Sequence, residues 1–237
     1  MSKKHLLTVA FAALAFGFAA QAQTNLQTFY DFGKDRDHFT TTLEGFYNDN
    51  WGNTFFFIDY DYNAKNEKKV NQAPSGSYME IARCLNFWQD SALSALSVQV
   101  EYNGGLGIFG IPAAIGGFTV NNAFLVGLDY FLHSENFNNT LNLKVLYKKF
   151  SGLASKVPMQ FTAVWGLQDL FGAKGLRFSG FADFWCEGNS LVFLSEPQLW
   201  YQIFDHCNIG GEVELSYNFA GMQGFNVMPC IGTKWVF

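Results

Sequence analysis

Positive charge is scarce in this chain and never massed. There are 15 lysines and arginines against 20 aspartates and glutamates, a formal charge of −5. The only adjacent basic pairs are Lys3-Lys4, Lys68-Lys69 and Lys148-Lys149. A nucleic-acid partner needs a basic stripe or patch, so that class is set aside. Cysteine is also sparse. Cys84, Cys186, Cys207 and Cys230 fit no zinc spacing and are too few for a disulfide scaffold. Export would allow disulfides, with three pairings open, although small apolar filler is the simpler role. Long apolar runs are missing after residue 20, so no later segment is a candidate transmembrane helix. A sustained helical period is missing too. The glycine-dense run GGLGIFG follows no dinucleotide or phosphate-loop pattern, so no cofactor is expected.

What is present begins with residues 1–22, MSKKHLLTVAFAALAFGFAAQA. Two lysines, a short apolar run and Ala20-Gln21-Ala22 have the form of a cleaved secretory signal peptide. Residues 23–237 are then the mature chain, with 215 residues and, two lysines fewer, a formal charge of −7.

From residue 25 onward the dominant period is two, the signature of strands. In WGNTFFFIDYDY, Thr54, Phe56, Ile58, Tyr60 and Tyr62 alternate with Asn53, Phe55, Phe57, Asp59 and Asp61. The breaks predict twelve strands, near 25–33, 37–48, 51–63, 77–89, 93–103, 118–132, 138–150, 157–168, 174–187, 190–204, 208–219 and 225–237. Residues 104–117 read as a long glycine-rich loop. Long connections fall at odd positions in the order and short ones at even positions. An up-and-down barrel with short periplasmic turns has that asymmetry. The expected fold is therefore all-β, an antiparallel up-and-down transmembrane β-barrel of about twelve strands in the outer membrane of a Gram-negative bacterium. Its lipid would be the outer-membrane lipid.

In this register the lumen receives Phe55, Phe57, Asp59, Asp61, Glu101, Lys144, Arg177, Phe181, Asp183, Trp185, Glu187, Glu212 and Glu214. Flat rings narrow a bore and offer stacking faces, and ionisable groups facing a cavity mark a functional site by default. Such a lumen suits a small, polar, partly planar solute, and its acidic excess disfavours anions. Glu80 and Arg83 fall on opposite parities, so bringing both inward requires a β-bulge between them. His38, His133 and His206 are not grouped with a serine and an acid in sequence, so no catalytic residue is assigned and no metal site is expected. The rival readings are a plugged structural or adhesive barrel, a barrel enzyme, and a soluble secreted β-protein.

Three blocks, WGNTFFFIDYDY, GSYMEIARCLNFW and FLSEPQLWYQ, carry a family resemblance. The chain resembles the nucleoside-specific channel-forming (Tsx-like) outer-membrane proteins, and more closely a related, functionally uncharacterised family of similar length. That resemblance implies a narrow twelve-stranded barrel passing nucleosides and similar small solutes. It draws in Phe55, Phe57, Asp59 and Asp61 from the first block, Glu80 and Arg83 from the second, and Glu196 with Gln198 from the third. The last residues, IGTKWVF, place Ile231, Thr233, Trp235 and Phe237 on one parity, towards lipid, with the two rings in an interfacial girdle. Gly232, Trp235 and Phe237 resemble the C-terminal signal read by the outer-membrane barrel assembly machinery.

Overall fold

The computed structural model describes residues 22–34, 36–62, 74–111 and 114–237. The expected signal peptide lies outside them, apart from its last residue. Thirteen strand segments follow one another: β1 (Ala22–Asp31), β2 (His38–Asp49), β3 (Gly52–Tyr62), β4 (Pro74–Leu85), β5 (Leu96–Ile111), β6 (Ala114–His133), β7 (Asn139–Phe150), β8 (Met159–Gln168), β9 (Leu176–Glu187), β10 (Ser190–Ser195), β11 (Gln198–Phe204), β12 (Cys207–Tyr217) and β13 (Phe225–Val236). Both β10 and β11 pair with β9 on one side and β12 on the other, so they are two halves of one barrel strand. All pairings are antiparallel between chain neighbours. β13 closes onto β1 from Asn25↔Val236 to Asp31↔Cys230. The result is a closed antiparallel barrel of twelve strands.

Alternation along each strand places the two solvents. On β5, Gln99 is fully buried while its neighbour Val100 is 45% exposed. The same inversion runs around the barrel. Gln27, Asn103, Asp129, Gln160 and Ser216 point inward and are buried, while Leu26, Phe124, Leu128, Val145, Phe161, Val227 and Ile231 are exposed on the outer face. In water this pattern would waste the hydrophobic effect. In lipid it puts apolar side chains against acyl chains and closes every backbone ladder. Most strands have 10–12 residues, enough to cross when tilted by about 40°.

The expected loop at residues 104–117 is not a loop. β5 and β6 continue through it as one long hairpin, paired as far as Ile111↔Ala114 after a register shift at Asn103/Gly105. Its glycines hide the period because Gly104, Gly105, Gly107, Gly110, Gly116 and Gly117 fall on both parities and supply no side chains to alternate. A Cβ on Gly107 would meet the Phe118 ring at 2.2 Å, so the ring occupies the room that the glycine leaves. The sorting of connections by length fails with it. At the end carrying both termini, residues 86–95 form a ten-residue connection, while the hairpin at the opposite end stays paired as far as Ile111↔Ala114. Closure therefore rests on the ladders and not on loop lengths.

The bulge expected between Glu80 and Arg83 does not form. β3 and β4 pair without interruption from Gly52↔Leu85 to Asp61↔Gly76. Arg83 stays on the outer parity beside the β2–β3 turn, donating to Asp49 Oδ1 (2.8 Å) and Thr54 Oγ1 (3.1 Å). Near the end of the strand an outward arginine reaches the interface, so no backbone distortion is needed to shelter it. All four cysteines are free thiols.

Candidate functional site in the barrel lumen

The inner faces of the strands enclose a cavity of about 2360 Å³. Phe55, Phe57, Asp59, Asp61, Glu80, Glu101, Lys144, Arg177, Phe181, Asp183, Trp185, Glu187, Glu212 and Glu214 all line it, and Arg83 does not. Alternation on β3, β4, β9 and β12 delivers these groups from one parity each. The same parity brings in Asp31, Glu44 and Asp129, which the sequence reading does not single out, and Glu196, which only the family resemblance draws in. Lys148 and Lys234 join them. Counting the parity through β1, β2, β6, β7 and β13 would have found all but Glu196, whose strand is interrupted beside it.

The lining carries fourteen acidic side chains and five basic ones. Most of the acids are held by neutral donors. Thr42 donates to Asp59 (2.5 Å), Thr40 to Asp61 (2.7 Å) and Asn25 to Glu44 (2.8 Å). Across the barrel, Tyr78 and Asn103 donate to Glu80 (2.7 and 2.9 Å), Gln99 to Glu101 (2.5 Å), Asn142 to Asp129 (2.9 Å) and Thr162 to Asp183 (2.5 Å). Such bonds orient a carboxyl group without supplying a compensating positive charge.

The cations are mostly spent elsewhere. Lys144 donates to Gln99 (2.8 Å) and Lys148 to Gln160 (2.7 Å). Lys148 Nζ also lies 4.2 Å from the Trp185 ring centroid, and Lys234 Nζ lies 4.5 Å from that of Trp200. Those are cation–π distances. Among the described residues only Arg36, of the five lining cations, forms ion pairs with carboxylates, at 2.9 Å to Asp31 and 2.7 Å to Glu214.

Aromatic groups are arranged in two places. Phe55, Phe57 and Tyr78 follow one another along the wall with ring centroids about 6 Å apart (6.1 and 5.9 Å). At the end away from the termini, Ala123, Leu125, Leu146, Phe150, Trp185 and Val192 form a small apolar cluster inside the barrel, with Leu194 and Phe219 against it. The lumen is thus narrowed at that end and acidic below it. The histidines stand apart. His38 lies 3.9 Å from Asp61, His133 stacks on Phe137 and His206 on Trp235. Among the described residues no group of His, Cys, Asp and Glu has an arrangement that would hold a metal ion.

A family model described as "Domain of unknown function (DUF5020)" matches residues 22–237, the whole of the barrel. The chain belongs to the DUF5020 family. No curated protein sequence matches this DUF5020 chain. Among solved structures it is similar to the KdgM porin in complex with disordered oligogalacturonate, with a TM-score of 0.51 at 10% identity over 91% of this chain and 99% of that one. The KdgM porin in another structure gives 0.50 at the same identity and coverage. At that identity the likeness is one of fold, and the DUF5020 barrel has the porin architecture.

Proposed function

We propose that this DUF5020 barrel is an outer-membrane channel for the diffusion of small polar solutes, favouring cations and neutral molecules over anions. The observation that carries this reading is the lining of fourteen acids against five bases, with one base alone committed to carboxylates among the described residues. A low-dielectric tube lined by one sign of charge concentrates the opposite sign and repels its own. The likeness to a porin crystallised with oligogalacturonate does not extend to that solute here. A polyuronate would meet repulsion along most of the lumen.

Nucleosides are the candidate solute that the resemblance to Tsx-like channels suggests. They are neutral, planar and rich in hydrogen-bonding groups. The ring faces of Phe55, Phe57 and Tyr78 offer stacking, and the amide, hydroxyl and carboxylate groups beside them offer donors and acceptors. Residues 1–22 are proposed as the export signal and are removed in this reading.

Planar-bilayer recording under a KCl gradient tests the proposal, together with liposome uptake of uridine and of uridine 5′-monophosphate. A reversal potential of the sign set by K⁺, with uridine entering faster than its phosphate, is expected. A reversal potential set by Cl⁻ would overturn the selectivity. No current and no uptake would leave a plugged structural barrel.

The C-terminal residues fit recognition by the barrel assembly machinery. Trp235 and Phe237 are exposed on the outer face, and Phe237 N donates to Thr24 O (2.9 Å) across the closing seam. Deleting Phe237 is expected to lower the folded amount in the membrane severalfold, measured as the heat-modifiable band on a gel. Normal folded levels would refute an assembly role.

A further inference from the structure

The interrupted strand has a physical cause that can be read residue by residue. The registers Ser195↔Leu215 and Gln198↔Glu212 put Glu196 opposite Glu214 and Pro197 opposite Val213. Pro197 has no N–H, so the ladder breaks there, yet its carbonyl still accepts from Val213 N (3.1 Å). On the other side Glu196 N donates to Phe181 O (3.1 Å), and Ser195 Oγ donates to the same oxygen (2.7 Å). Gly180 makes this approach possible. Its φ is 153°, and a Cβ there would lie 2.5 Å from Glu196 O and 2.9 Å from Pro197 Cα. No residue is inserted on either side. The wall is held tightly around one position, and that position carries an acid facing the lumen.

Two carboxylates directly opposite on neighbouring strands repel. Here neither is neutralised on the side they share. Glu214 is 7% exposed; its Oε2 takes Arg36 Nη2 at 2.7 Å, and its Oε1 is buried with no hydrogen-bond partner. Glu212, one step along, is held by the neutral Gln198 side chain (2.5 Å). Glu196 itself makes no side-chain hydrogen bond or ion pair among the described residues, and the charges of Glu212, Asp59, Glu214 and Glu80 all act on it. A buried acceptor without a donor is destabilising. Arg36 meets Glu214 on one oxygen only, and what the Glu196 side of this place lacks is a group with positive charge and N–H donors together.

We infer that Glu196, with Glu214 and Glu212 beside it, is the station where the lumen takes the ammonium group of an amine-bearing solute. This rests on the cation-preferring reading above and names a class of solute and the residue that selects it. An alkylammonium donates to Glu196 with the carboxylates of Glu214 and Glu212 beside it, where a quaternary ammonium of equal charge donates nothing. Phe181, next to Glu196 across the other ladder, faces the lumen as the apolar side of the station.

The test compares ethylammonium with tetramethylammonium as permeant ions in planar bilayers containing the full mature chain, the wild type against E196Q and E101Q. The permeability ratio in the wild type should favour ethylammonium, and E196Q, whose amide oxygen still accepts, should lower that ratio by about threefold to tenfold, the difference between a charge-assisted and a neutral hydrogen bond. E101Q, which removes a lumen acid elsewhere, should leave the ratio unchanged while lowering K⁺ over Cl⁻ selectivity about as much as E196Q does. An unchanged ratio in E196Q, or an equal fall in E101Q, overturns the station while leaving the cation-selective channel standing. Absence of cation preference in wild-type KCl recordings overturns the underlying reading instead. Block of wild-type K⁺ current gives a second measure independent of folding of the variants. Ethylammonium should block more strongly than tetramethylammonium, and equal block by both, or block by Mg²⁺ alone, also overturns the proposal.

Discussion

Two stretches of the lumen wall handle the same chemistry differently. On β2 and β3 the carboxylates of Asp59 and Asp61 each face a donor across the ladder, Thr42 and Thr40. On β10 to β12 the carboxylates face one another, and the order there comes from backbone packed around Gly180 and Pro197. The first wall is satisfied by its own side chains and tolerates change one pair at a time. The second is built by close approach and leaves acceptors open. A channel wall has both needs, since it must stay closed against lipid and still offer unmet hydrogen bonds to what passes.

Replacing Gly180 by Ala breaks the second wall at its tightest point. The new Cβ would strike backbone that has nowhere to move, so the expected result is loss of the folded barrel, or a cost on the order of 3–5 kcal/mol. Heat-modifiable mobility in detergent reads it directly. Next comes Arg36→Ala. Arg36 joins Asp31 of β1 to Glu214 of β12, and removing it leaves two largely buried carboxylates uncompensated. About 3 kcal/mol of stability should be lost in urea titration of the refolded barrel. Thr42→Val tests the first wall. Only the donor to Asp59 disappears, at equal volume, and about 1–2 kcal/mol is expected from the same titration. Smallest is Arg83→Ala, which removes the outward pair with Asp49; a change within about 0.5 kcal/mol is expected, as for a surface ion pair. A large effect there would mean that Arg83 contributes to the wall after all.

The contrast also explains what the sequence made legible. The twelve crossings show because lipid outside and polar groups inside force a period of two, and that period survives in residues such as Gln99 and Val100. Most lumen acids follow from the same parity. Arg83 does not need the lumen that the sequence reading gives it, because an arginine at a strand end meets water without leaving the lipid face. The hairpin through residues 104–117 reads as a loop because glycines supply no side chains to alternate, although Phe118 fills the space over Gly107. Parity places Lys148 and Lys234 in the lumen, but their seats over Trp185 and Trp200 join strands distant in sequence and leave no local signal. Glu196 was visible only as part of a family block. Its role depends on Pro197 and Gly180 together, and no periodicity joins those two positions.

The acidic lining also sets an osmotic and electrical condition on the lumen whether or not a solute is passing. Fourteen acids and five bases must be balanced by mobile ions if the side chains keep their charges. A single monovalent ion confined to about 2360 Å³ already amounts to about 0.7 M, well above dilute external salt, where screening lengths reach about 30 Å. On the proposed cation-preferring reading the barrel is a fixed-charge exchanger that carries its own electrolyte. Its conductance should level off as bath salt is diluted, because the carriers inside are set by the wall and not by the bath.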